Sequence, residues 1–129
     1  MNLVASRRRR MDRAEHRPRK VDGQLPPHDL DAERASLSAA LLDAGAAEIL
    51  PPADDFYDVA NARVAKAIHA LVKQYEKVDG VTVAAWLRDR EELKAIGGSE
   101  YLARLAFETP AVTHADRHGK IVARKARRR

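Results

Sequence analysis

The stretch between residues 53 and 75 constrains the fold most, because its apolar residues recur at the spacing of one helical face. Three acidic and two aromatic residues precede the repeat. The repeat itself consists of Val64, Ile68, Leu71, Val72 and Tyr75. Positions spaced as i, i+4, i+7, i+8 and i+11 lie on one side of an amphipathic α-helix. We therefore predict a central helix here, with the remaining helices packed against it.

Capping residues and helix breakers predict shorter helices on both sides of this stretch. Prolines or glycines separate the apolar segments, and no segment longer than a few residues alternates with the period of a strand. Each segment begins with a side chain that can accept a hydrogen bond from a free helical N–H group. The candidate caps in chain order are Asp29 or Asp31, Asp55 or Asp58, Thr82, Ser99 and Thr113. The sequence predicts an all-α fold, a compact bundle of short helices.

Charge is distributed unevenly along the chain, although the net charge is only +5. Residues 1–25 contain eight Lys or Arg and three Asp or Glu, whereas residues 119–129 contain six and none. Residues 26–118 contain ten and sixteen, so the expected folded part is acidic. Attraction to nucleic acid is therefore expected at the two ends. The candidate phosphate contacts are Arg7, Arg8, Arg9, Arg10, Arg127, Arg128 and Arg129.

The first 25 residues have the composition of a disordered tail, because they contain too little apolar surface to offset the entropy of ordering. Two interpretations remain open for this basic segment. It can act as a solubilising tail, or it can bind phosphates non-specifically in a manner that salt screens. No run of about 18 apolar residues is present, so we expect no membrane partner.

Residue types that carry catalysis do not converge in this sequence. There is no cysteine, and the only Gly-Lys pair, Gly119-Lys120, is not followed by the Ser or Thr of a P-loop. His114 and His118 have a spacing that can bind metal, but no third ligand is evident. We predict a protein that is not an enzyme, with no catalytic, metal-binding or cofactor-binding residues and no cofactor.

Large apolar residues outside the central helix are available for contacts between subunits. A small aliphatic core favours self-association, because a short chain buries a limited fraction of its surface. Trp86, the only tryptophan, is expected in the core or at such an interface rather than stacked on a nucleic-acid base. The candidate interface residues are Trp86, Phe107, Ile121 and Val122, and we expect a dimer or a higher homo-oligomer.

Four motifs occur in a fixed order between residues 26 and 129. They are P-P-x-D-x-x-A-E-x-x-x-L from Pro26, D-F-Y from Asp55, V-T-V from Val81 with a following leucine, and I-G-G-x-x-Y-L-x-x-L from Ile96 with a following T-P. Their order and spacing resemble the N-terminal domain of the bacterial replicative DNA helicase family called DnaB. Each motif alone is weak, and the resemblance rests on the combination.

The resemblance implies a globular helical bundle over residues 26–112 and the start of a C-terminal helical hairpin over 113–129, truncated at its basic end. Family members pair through this hairpin, form a ring-shaped collar, and contact primase and helicase loaders. Their ATP-dependent motor is a separate domain with a P-loop, which this sequence does not contain. A cytoplasmic protein of bacterial, phage or plasmid origin is implied.

Three positions depart from the family pattern. Ser38 stands where glycine is frequent, and Ala65-Lys66 replaces a larger apolar pair in the central helix. Gly119 lies inside the last predicted helix, where glycine costs about 1 kcal/mol relative to alanine. We therefore expect looser packing of the central helix and weaker pairing through the last one.

Three functional hypotheses follow from the residues and the resemblance. The first is a non-catalytic interaction module of DNA replication that binds itself, a replicative helicase, a primase or a helicase loader. The second is a small DNA-binding protein that uses the basic segments 1–20 and 120–129. The third is a truncated remnant of a replicative helicase.

Overall fold

A computed structural model describes residues 26–108 and 114–129 of the chain. It confirms the all-α prediction, because these residues form helices and no strand. The expected disordered tail and the expected cap Thr113 lie outside the described residues. The helices are α1 Leu30–Leu42, α2 Ala44–Glu48, α3 Val59–Lys73, α4 Gly80–Asp89, α5 Gly98–Phe107 and α6 Ala115–Arg128, with 3₁₀ helices at Ala53–Asp55 and Lys94–Ile96.

Aspartate side chains begin the first four α-helices. The Asp29 carboxylate accepts the N–H of Ala32 (3.0 Å), and Asp58 does the same for Asn61 (3.0 Å), as two of the predicted alternatives require. The prediction that Thr82 caps α4 is wrong. Asp79 is the cap, and Thr82 is the third helical residue, whose hydroxyl accepts the Asp79 N–H (3.0 Å). The pair forms a capping box.

Helix α5 begins at Gly98, two residues earlier than a Ser99 cap predicts, so the prediction that Ser99 caps it is wrong. The cap is Gly97, which has a φ of 103°, and Gly98 follows with a φ of 73°. Glycine adopts positive φ at both positions without steric cost. The Gly98 N–H donates to the Leu93 carbonyl (2.9 Å), which closes the preceding 3₁₀ helix in the manner of a Schellman motif.

The predicted central helix exists but is shorter than the apolar repeat. Val64, Ile68 and Leu71 are buried on one face of α3. Tyr75 was predicted on the same face, and that prediction is wrong: its side chain is 97 % exposed. The helix ends at Lys73, and the Glu76 N–H closes it by donating to the Leu71 carbonyl (2.9 Å). Tyr75 therefore takes a φ of 57°, outside the helix.

Helix α1 shares the centre of the bundle with α3. Helix α1 packs most extensively against α6, and it also contacts α2, α3 and α5. A single large core joins them and includes Leu37 of α1, Ile68 of α3, Leu87 of α4, Leu105 of α5 and Val122 of α6. The prediction that the other helices lie against residues 53–75 therefore left out α1, the second helix at the centre of the bundle.

The departures from the family pattern have local structural roles. Ala65 is fully buried in the core, while Lys66 is exposed; looser packing of the central helix stays a prediction. The Ser38 hydroxyl reaches the carbonyls of Leu105 (2.5 Å) and Glu108 (2.9 Å) at the end of α5. A glycine has no atom with which to make these bonds, so Ser38 ties α1 to α5.

Gly119 lies where α6 meets the loop that follows α2. A Cβ at this position would lie 3.4 Å from Cγ and Cδ of Pro51. The Nε2 atom of His69, on α3, lies 2.8 Å from the Pro51 carbonyl oxygen. The proline therefore lies between two helices, and a Cβ at position 119 would make only an ordinary van der Waals contact with it, so the packing here does not require glycine.

Candidate interaction surfaces

A buried carboxylate at Glu33 organises one side of the bundle. The residue is 1 % exposed and lies one helical turn before the core residue Leu37. Its oxygens accept the N–H groups of Tyr57 (2.5 Å) and Asp58 (3.2 Å) and the side-chain amide of Asn61 (3.0 Å). These bonds fix the start of α3 against α1. A buried charge is stable only when its lone pairs are satisfied in this way.

The network continues to α5 through Asn61, whose side-chain oxygen accepts the hydroxyl of Tyr101. Burial, and secondarily the nearby Asp58 carboxylate, raises the pKa of Tyr101 to about 12, so the phenol stays protonated and remains a donor. The motif residues Glu33, Tyr57 and Tyr101 therefore meet through hydrogen bonds. Sequence reasoning did not identify this network, although a glutamate on the same helical face as Leu37 was a signal of a buried acceptor.

The two ends of the described chain meet beside this network. The Arg129 guanidinium donates to the carbonyls of Pro27 (3.1 Å) and Asp55 (2.6 Å). It also lies over the ring of Tyr57, 5.6 Å from the ring centroid, and His28 stacks on that ring at 4.2 Å. Arg129 was predicted to contact nucleic acid. The structure engages its side chain within the chain, and its contact with nucleic acid stays a prediction.

Burial shifts the pKa values of titratable groups at this junction. Burial raises the pKa of the Asp55 carboxyl, and the nearby Arg129 opposes that rise. Burial also lowers the pKa of Arg129, and the carboxylates of Glu33 and Asp55 oppose the fall. In contrast, the Thr82 backbone N–H lowers the pKa of the Asp79 carboxyl, because the bond favours the charged form. These shifts accompany structural contacts and indicate no proton-transfer pair.

The candidate interface residues separate into exposed and enclosed side chains. Phe107, at the end of α5, is 85 % exposed. Val122 is 1 % exposed and lies in the core of the chain itself, so its prediction as an interface residue is corrected. Ile121 is partly buried and packs against the same core. Of the pair Ile121 and Val122, only Ile121 keeps surface available for a partner.

Trp86 lies at the edge of the core, where another side chain covers its ring. The residue is partly buried, and the Arg90 guanidinium stacks over the ring at 3.6 Å from its centroid. The Arg90 Nη1 atom also donates to the Trp86 carbonyl (3.1 Å). Within the described part of the chain, the indole Nε1 is buried and has no hydrogen-bond partner. This arrangement leaves less of the indole for a partner than the sequence analysis assumed.

Positive charge collects on the solvent side of α6. Its buried residues are Ala115, Gly119 and Val122. The exposed residues on the other side include Arg117, Lys120, Arg124, Arg127 and Arg128. Arg127 and Arg128 were predicted from the charge run. Lys120 and Arg124 lie in the basic segment 120–129 that was predicted to bind DNA, whereas Arg117 was missed, although basic residues at i, i+3, i+7 and i+10 indicate one helical face.

Other features of the described surface are weaker candidates for chemistry. A surface depression of about 250 Å³ lies between α4 and α5, lined by Arg88, Glu91, Leu93, Lys94 and Gly98. The rings of His114 and His118 stand edge-on with centroids 6.4 Å apart. Residues 26–108 and 114–129 contain no group of three side chains placed to hold a metal ion. In the same residues, no helix has the length and apolarity needed to cross a membrane.

Comparison with known proteins places this arrangement of helices in one family. The family described as "DnaB-like helicase N terminal domain" matches residues 25–124. The replicative DNA helicase DnaB of Geobacillus stearothermophilus is 37 % identical over 107 residues, which is 80 % of this chain and 23 % of that helicase. DnaB of Mycobacterium leprae is 40 % identical over 112 residues, which is 84 % of this chain and 18 % of that protein.

A solved structure supports the same relationship at the level of the fold. The crystal structure of the N-terminal domain of DnaB helicase from Mycobacterium tuberculosis superposes with a TM-score of 0.73 at 42 % identity. The match covers 78 % of this chain and 75 % of that one. The chain thus spans most of an N-terminal domain but at most about a quarter of the length of the curated helicases it matches.

Proposed function

This chain belongs to the DnaB-like helicase N-terminal domain family, and we propose on that basis that it is a non-catalytic protein-interaction and oligomerisation module of DNA replication. The relatives that share its sequence are replicative DNA helicases, and the shared part is their N-terminal domain. The 129-residue sequence contains no P-loop, so the proposed role is binding rather than ATP hydrolysis.

The observation that carries this proposal is the exposure of Phe107. The large aliphatic residues of α5, Leu102 and Leu105, are buried in the core, whereas the phenyl ring of Phe107 is 85 % exposed. Exposed aromatic residues are enriched at the centres of protein interfaces, where their burial dominates the binding energy. Phe107 is therefore the proposed anchor, with Ile121 and the uncovered part of Trp86 as further contacts.

The proposed partners are a second copy of the chain, a replicative helicase, a primase and a helicase loader, in the bacterial cytoplasm. Purified partners from the same organism can be tested for binding to the immobilised full chain. We expect Phe107→Ser to weaken the relevant complex at least tenfold. Val81→Ser is the matched control, because Val81 is also an exposed apolar residue, on α4. If both variants and the unmodified chain bind equally well, Phe107 is not part of the interface.

A second candidate function is binding of nucleic acid through basic segments. The specific observation that favours it is the exposed row of five cations on α6. The predicted tail contacts Arg7, Arg8, Arg9 and Arg10 lie outside the described residues and stay predictions. Phosphate binding of this kind is expected to weaken steeply as salt is added. Affinity that does not depend on salt contradicts it.

A further inference from the structure

The five exposed cations of α6 form one narrow face of the helix. At 100° per residue, Arg117, Lys120, Arg124, Arg127 and Arg128 fall within an arc of about 100°. The buried residues Ala115, Gly119 and Val122 lie on roughly the opposite side. Arg129 falls toward the buried side by the same geometry, which agrees with its contacts to Pro27 and Asp55. The five residues are called the cationic face below.

The spacing along the helix suits a repeating anion. At 1.5 Å per residue, successive members of the row 117, 120, 124 and 127 are about 5 Å apart along the axis. Arginine and lysine side chains are long enough to adjust to phosphates several ångströms apart, and arginine binds phosphate with two parallel hydrogen bonds. Asp116 forms an ion pair with Lys120 (3.2 Å) at the edge of the face, so the other cations are the stronger contributors.

We propose that the cationic face of α6 is a sequence-independent binding site for the phosphate backbone of nucleic acid. This assignment rests on the nucleic-acid candidate described above and locates it on one face of helix α6, which contains Arg117 and part of the basic segment 120–129. The face contains no large apolar residue between its cations, whereas the cores of protein interfaces are depleted of charge. A polyanion therefore fits this surface better than a protein partner does.

The acidic bundle of a second copy is the alternative occupant, and it is less suitable. Five of the sixteen carboxylates between residues 26 and 118 are engaged inside their own chain. Glu33 is buried, and the carboxylates that begin α1 to α4 accept helical N–H groups. The remaining acidic residues are dispersed over several helices, so they do not present a row that matches the spacing of the cationic face.

The test uses the full chain and fluorescein-labelled DNA of about 20 nucleotides in two unrelated sequences, measured by anisotropy over a range of salt concentrations. The helix-face variant carries Arg117→Gln, Arg124→Gln and Arg127→Gln. The matched control removes three positive charges from exposed positions elsewhere, through Lys66→Gln, Lys73→Gln and Lys94→Gln. A tail variant carries Arg7→Gln, Arg8→Gln, Arg9→Gln and Arg10→Gln.

We expect the unmodified chain to bind both sequences equally, with log K falling linearly against log salt. Each lost phosphate contact reduces the slope by about 0.7 to 0.9, so the helix-face variant should lose roughly 2 to 3 in slope and about 100-fold in affinity at 0.1 M salt. The matched control should stay within about threefold, because its charges lie away from the ligand.

Three results would overturn the assignment. In the first, the helix-face variant binds as tightly as the unmodified chain, or only the tail variant loses affinity. In the second, the matched control loses as much affinity as the helix-face variant, so that net charge alone explains binding. In the third, the helix-face variant loses self-association in sedimentation but keeps DNA binding, which identifies a second copy as the occupant. If the unmodified chain binds no DNA, the nucleic-acid candidate itself fails, and the proposal based on Phe107 is unaffected.

Discussion

The buried carboxylate of Glu33 gives the sharpest prediction about stability. Replacing it with glutamine keeps the shape of the side chain but turns one acceptor oxygen into an NH₂ donor. The two carboxylate oxygens of Glu33 accept three donors, from Tyr57, Asp58 and Asn61. In either orientation of the amide, at least one of these donors faces another donor, so a buried N–H loses its partner.

The expected cost follows from these bonds. A buried donor left unsatisfied costs about 1–3 kcal/mol, and loss of the negative charge weakens the remaining bonds by about 1 kcal/mol in total. Glu33→Gln should therefore lower the free energy of unfolding by about 2–4 kcal/mol. For a folded region of this size, the midpoint of thermal unfolding should fall by roughly 10–20 °C.

Urea unfolding followed by far-UV circular dichroism and by Trp86 fluorescence measures this effect. Glu76→Gln is the matched control, because Glu76 is an exposed glutamate and surface substitutions change stability by about 0.5 kcal/mol or less. If Glu33→Gln unfolds within about 0.5 kcal/mol of the control, the Glu33 network does not hold α3 against α1, and the reasoning from hydrogen bonds fails.

Three other predictions concern single residues, each measured by urea unfolding. Ser38→Ala should cost about 1–2 kcal/mol through its bonds to α5, whereas the buried hydroxyl of Ser36, unpartnered among the described residues, should be removable almost without cost. Glu91 has a φ of 60°, which is unfavourable for a residue with a Cβ. Glu91→Gly should therefore raise the free energy of unfolding by about 0.5–1 kcal/mol, and a decrease would contradict the assigned backbone. Because burial raises the pKa of Tyr101 to about 12, the protonated phenol stabilises the folded state below pH 10.0, and this contribution is lost as the pH rises. The free energy of unfolding should therefore fall by roughly 1–2 kcal/mol between pH 10.0 and about 12, and Tyr101→Phe should remove this dependence.

Local sequence signals were sufficient to predict five of the six described α-helices and part of the core, but not the short α2 or the two 3₁₀ helices. Val64, Ile68 and Leu71 were predictable because a helical period and burial coincide on α3. The same period failed at Tyr75, because the hydrogen bond from Glu76 to Leu71 ends the helix before the repeat does. Whether a helix continues depends on its terminal hydrogen bonds, and apolar spacing does not encode those bonds.

The sequence limited the capping residue of each helix to a few candidates, but it did not always identify the correct one. Asp79 and Thr82 both have side chains that can cap, and the capping box uses both, so the choice depends on where the first helical turn closes. At α5, the positive φ of Gly97 allows it to take the cap position, and the more common cap Ser99 lies inside the helix. Backbone conformation therefore determined the cap residue at helices where the preference for a residue type allowed more than one candidate.

The surfaces were the least predictable part, because exposure depends on which helices meet. Val122 and Ile121 are adjacent in sequence, but contact with α1 encloses the first and leaves part of the second at the surface. Arg129 differs from Arg127 and Arg128 only in its position around the helix, which turns it toward Pro27 and Asp55. The Glu33 network joins three motifs that are far apart in sequence.

Self-association is the property that tests the proposed interaction module most directly. Sedimentation equilibrium of the full chain over about a hundredfold range of concentration should show a mean mass that rises above 14.4 kDa as concentration increases. Phe107→Ser should shift that rise to higher concentration, and Val81→Ser should not. A mass that stays at 14.4 kDa throughout, or a rise that is the same for both variants, would contradict an oligomerisation surface anchored by Phe107.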